Sequence, residues 1–196
     1  MANIFQHGEG VLIMNFPESN GWSNEATWTI FSNFTRYKET SDPIKQRALE
    51  GTNQVRSFVE MLVHSWYEGA ASGLHSAILQ SLGQEFIQSA MRYVSWSYIY
   101  DALRGEPVPE PPNELTGIAY ELLSTQNWQE IVEGARHART ADARLSSWFE
   151  KHCLTWAAIP DARKRRGLIS KFTLAVMDIY MQAVNWDEVT EVLIEG

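Results

Sequence analysis

Three groups of residues have side chains and spacing suited to chemistry. His64, Glu68 and His75 stand at i, i+4 and i+11, a spacing that on an unbroken helix would line up ligands for a metal ion. Gly69 and Gly73 interrupt that helix, and His64 borders an apolar stripe, so structural or surface histidines are expected, with no metal and no cofactor. "KHC" at 151–153 sets a thiol beside an imidazole. Consecutive helical side chains point about 100° apart, which is wrong for a nucleophile and its base. The third group is cationic. Arg163, Lys164, Arg165 and Arg166 repel one another unless they are solvated or met by an anionic partner, and Arg136, Arg139 and Arg144 extend the patch.

Gly-rich phosphate loops, Cys-x-x-Cys pairs, nucleophile elbows and His-Glu-x-x-His are all missing from the sequence. The expectation is a protein that binds rather than catalyses, with no catalytic residues. The cationic group is its best contact surface.

These residues ride on helices. After "NIFQHGEGVLIMNF", which reads as a short β-hairpin or extended arm, apolar residues recur with helical period. In "NQVRSFVEMLVHSWYE", Val55, Phe58, Val59, Leu62, Val63 and Trp66 form one stripe. The segment from Leu74 to Val94 reads as a long helix, and Leu145, Trp148, Phe149, His152 and Trp156 face one way on another. "GEPVPEPPNE" holds four of the seven prolines, and no helix crosses it. A polar loop is expected around Asp42-Pro43. The fold class is all-α: a bundle of about eight or nine helices.

"SWSYIYDAL", "NWQEIVEGA" and "NWDEVTEVL" each place Ser or Asn before a tryptophan. Ser95, Asn127 and Asn185 then read as helix N-caps, with Trp96, Trp128 and Trp186 at the first helical position, packing back on the preceding helix. Glu130 and Glu188 complete capping boxes, whereas "SWSY" carries Tyr98 at that place. These residues, with Trp28, are assigned to scaffold.

Met91, Val94 and Trp96 match Met181, Val184 and Trp186, and "SGLHSAIL" resembles "RGLISKFT". A diverged tandem duplication follows from this pairing. Its parts are an arm (1–20), helical unit one (21–104), a Pro-rich linker (105–114) and helical unit two (115–196), packed as one globule.

The chain carries −8 overall, unevenly. Residues 136–171 hold nine Lys/Arg against three acids, so that stretch could face a different partner from the acidic remainder. One cysteine, Cys153, suits a reducing cytoplasm, and neither a signal peptide nor a membrane span is readable.

"NEATW" from Asn24 and "VNWDEVTEVLIE" from Val184 together resemble an uncharacterised family of small phage, plasmid and bacterial proteins, cyanobacterial ones included. Its members carry an early Asn-aromatic-Glu-Thr-Trp and a late Asn-Trp-x-Glu-Ile. Glu25, Thr27 and Trp28 match with Ala26 inserted, and Asn185, Trp186, Glu188 and Val189 match the late motif. The resemblance covers the edges of the chain and implies a mobile-element setting, in which small acidic helical proteins modulate host machinery. The expected partner is another protein. Nucleic acid is the alternative through 136–171, no membrane is expected, and a homodimer stays open.

Overall fold

A computed structural model of the chain describes residues 18–67, 73–157 and 168–196. The expected hairpin, Glu68 and the Arg163–Arg166 cluster lie outside them. Among the described residues there are ten α-helices and no strand. They are α1 (Glu25–Thr35), α2 (Lys38–Glu50), α3 (Thr52–Tyr67), α4 (Gly73–Ala90) and α5 (Trp96–Leu103), followed by α6 (Glu114–Ser124), α7 (Trp128–Ile131), α8 (Ala138–Ala157), α9 (Leu168–Ala183) and α10 (Trp186–Glu195).

The additional helix is α2, which replaces the expected loop around Asp42-Pro43. Pro43 removes one backbone donor from its interior, but Thr40, Ile44 and Ala48 are buried at successive turns and hold the segment in helical form. The chain enters α1 through a tight turn in which Asn20 and Gly21 both take positive φ, 52° and 83°. Ser19 and Trp22 exchange backbone bonds across it, as a two-residue type I′ turn requires.

The helices form two compact units, residues 1–83 with 177–196 and residues 84–176. The division falls inside α4 and inside α9. In the first unit α10 packs against α1, α2 and α3. Ala26, Ile30 and Phe34 of α1, Val55, Val59 and Val63 of α3, and Trp186, Val189 and Leu193 of α10 are buried there. In the second unit α5 packs against α6 and α8, and α7 against α8. Its interior holds Phe86, Ile99, Leu115, Leu145, Phe149 and Phe172, with Phe149 edge-on to Phe172 at 4.8 Å. Residues 106–113 run between α5 and α6 without helix, inside this second unit.

Helix α8 is phased differently from the expected stripe. Ala141, Leu145, Phe149 and Cys153, four apart, are buried, which turns Trp148 and His152 to the flank at intermediate exposure.

Candidate functional site

The helix caps resolve into a clasp that occurs twice. In the first unit Asn24 caps α1, its Oδ1 accepting from the Thr27 amide and hydroxyl at 2.9 Å each. Its Nδ2 donates to the Ala183 carbonyl at 2.9 Å, and the Asn185 amide donates to the Thr27 hydroxyl at 2.9 Å. The second unit repeats this pattern. Asn113 Oδ1 accepts from the Thr116 amide and hydroxyl at 2.9 and 3.0 Å, and its Nδ2 donates to the Tyr93 carbonyl at 2.8 Å. The Ser95 amide donates to the Thr116 hydroxyl at 3.0 Å. Two side chains thereby satisfy amides at two helix starts and a carbonyl at the end of a long helix. The signal in the sequence is Asn-Glu-x-Thr, at 24–27 and again at 113–116.

This geometry corrects the capping boxes. Of Ser95, Asn127 and Asn185, only Asn185 makes a side-chain cap bond, accepting from the Glu188 amide at 3.3 Å. Glu188 does not reach back to Asn185, whose amide Thr27 already holds. Its carboxylate instead accepts from the Ser23 amide (3.1 and 3.2 Å) and hydroxyl (2.5 Å). The matching place in the second unit is Pro112, which has no amide to offer. The acid is correspondingly replaced by Tyr98, whose hydroxyl donates to the Pro109 carbonyl at 3.0 Å.

The tryptophans are seated as anchors to differing degrees. Trp186 is buried, and Trp96 donates its Nε1 proton to the Met91 carbonyl at 3.2 Å and lies edge-on to Phe149. Trp128 is half-buried, edge-on to Tyr100, and Trp28 is half-buried beside Trp22 and Phe31.

The clasp leaves the groove between α7 and α8 as the candidate binding surface. One part, of about 470 Å³, is lined by Ile131, Thr140, Ala143, Arg144, Ser147, Trp148 and Lys151. A continuation of about 330 Å³ adds Gln126, Asn127 and Glu130 and shares Ile131 and Trp148. Trp148 stacks on His152 at 3.8 Å, and His152 Nδ1 donates to the Trp148 carbonyl at 2.7 Å. The Arg144 guanidinium donates to the Glu133 carbonyl, which holds it over the groove rim. Arg136, Arg139 and Lys151 are exposed, and none forms an ion pair among the described residues. Of the expected contact residues, Arg136 lies in the connection before α8 and Arg139 in its first turn, and neither lines the groove.

A shift of 86 positions lays α3 on α8, carrying buried Val55, Val59 and Val63 onto buried Ala141, Leu145 and Phe149. It also carries Gln54, Ser57, Phe58 and Met61, which line a groove in the first unit, onto Thr140, Ala143, Arg144 and Ser147. The same shift sets buried Leu62 against half-exposed Trp148. Position 62 is filled by a buried leucine, so the exposed indole surface at 148 exceeds what the equivalent place on α3 requires.

Burial, with a smaller effect of the Glu150 charge, pushes the Cys153 thiol far up, so it stays protonated beside its neighbour His152. Among the described residues no group of three His, Cys, Asp or Glu could hold a metal ion, and no helix is long and apolar enough to cross a membrane. Comparison of the chain with protein-family models, with curated proteins and with solved structures returns no match in any of the three.

Proposed function

We propose that this is a non-enzymatic binding protein that docks an acidic protein segment in the α7–α8 groove. The observation that carries the reading is Trp148: a half-exposed indole where the duplicate helix has a buried leucine, flanked one turn away on either side by Arg144 and Lys151. Tryptophan and arginine are the side chains that dominate protein interfaces, as apolar anchors within a charged rim. Unit charges agree. The second unit has eleven Lys/Arg and eleven acids, so the whole excess of −8 resides in the first. The cations of α8 therefore stand in a neutral unit and attract a local acidic segment, whereas the acidic first unit disfavours a long polyanion. The resemblance at 24–28 and 184–195 supports a phage- or plasmid-type modulator of host protein machinery, acting in the cytoplasm.

Nucleic acid is the second reading, favoured by the same indole, since a base can stack on an aromatic face between cations. Two variants test the proposal, Trp148→Leu and the double reversal R144E/K151E, used as baits in host lysate beside the wild type. A protein captured by wild type and lost with both variants is expected, while W148L unfolds within about 1 kcal/mol of wild type. Capture indifferent to both variants would contradict it. Salt-sensitive binding of a single-stranded oligonucleotide, abolished by R144E/K151E, would favour the second reading.

A further inference from the structure

The duplication and the packing together assign a recognition surface to each half of the chain. A shift of 89 positions lays α1 on α6, and a shift of 90 lays α4–α5 on α9–α10, carrying Leu82, Phe86, Met91, Val94 and Trp96 onto Phe172, Val176, Met181, Val184 and Trp186. The Gly-Leu pairs of "SGLHSAIL" and "RGLISKFT" are one turn out of this register. The first repeat is α1–α5 and the second α6–α10. The clasps then pair across repeats. Asn24 and Thr27 of the first repeat hold Ala183 and Asn185 of the second, and Asn113 and Thr116 of the second hold Tyr93 and Ser95 of the first. Likewise α10 is packed by α1–α3, and α5 by α6 and α8.

We propose that the two repeats are non-covalent partners, each presenting a seat for the Trp-first helix of the other, and that the partner such a seat fits is a second copy of the repeat. Recognition is specific in kind. The Thr hydroxyl takes the amide of the residue before the tryptophan, the Asn amide takes the carbonyl two residues earlier, and the interior takes Ile99 or Val189 with its indole. In the intact chain 105–113 delivers the helix in cis. A cut there leaves both seats filled, and a second copy can fill them in trans.

The test inserts a protease site after Glu106 in the full chain and cleaves the folded protein. Both fragments are expected to co-elute at the mass of the uncut chain. When light and isotopically heavy cleaved samples are unfolded together and refolded, native mass spectrometry should show light–heavy hybrids. The isosteric variant T27V should raise the dissociation constant of the cleaved pair about five- to tenfold through loss of the acceptor for the Asn185 amide. Fragments that separate under native conditions, or a pair indifferent to T27V, would overturn the proposal.

Discussion

Asn113 shows how much one side chain decides. It accepts two bonds from Thr116 and donates one to Tyr93, so Asn113→Ala leaves a helix-start amide and a carbonyl without their partner. We expect a loss of about 1–3 kcal/mol in urea unfolding, larger than an exposed cap would give. Asp142 acts in the opposite sense. Burial, and after it the Asp101 charge across the α5–α8 contact, raises its carboxyl above the usual value of 3.8, and Oδ1 has no hydrogen-bond partner. Because the folded pKa lies above the unfolded one, the folded state binds the extra proton, and stability falls as pH rises through the raised value. D142N should therefore melt higher than wild type at pH 7, and the gain should vanish below 3.8, where Asp142 is protonated in both states. A gain that persists in acid would show another cause. Cys153, buried and protonated, should resist thiol reagents in the native protein and react only on unfolding.

At the scale of elements, the all-helical class was legible because stripes such as Val55, Val59, Leu62 and Val63 have helical period and are buried as a set. Two features were not. Pro43 marks a break by local rules, yet tertiary burial of Thr40, Ile44 and Ala48 keeps α2 continuous. Pro43→Ala should consequently stabilise the protein, by about 1–2 kcal/mol, because it restores a helical donor and removes a clash; calorimetry of the single variant checks this. On α8, aromatic residues at 148, 149, 152 and 156 leave the periodicity ambiguous between two adjacent faces. Contact with α5 settles it, burying Phe149 and releasing Trp148 to the groove. Of the groove proposed as a binding surface, Arg144 was legible as charge, while the indole between Arg144 and Lys151 depends on helix phase, and Arg136 and Arg139 do not line the groove.

Over the whole molecule, the Met-Val-Trp correspondence was readable, but not the manner in which the matching segments pack. The 90-residue correspondence matches α5 to α10, while packing places α5 with α6 and α8, and α10 with α1–α3. Hydrogen bonds linking residues about 160 positions apart, Asn24 to Ala183 and Asn185 to Thr27, have no local signature. Interior and clasp positions match across this correspondence, while the groove residues differ. The most direct measurement is the nuclear Overhauser contact between the Trp96 and Phe149 rings, whose centroids lie 5.7 Å apart. Strong cross-peaks between these two side chains are predicted. Cross-peaks from Trp96 to α3 side chains of its own repeat, with none to Phe149, would contradict the account.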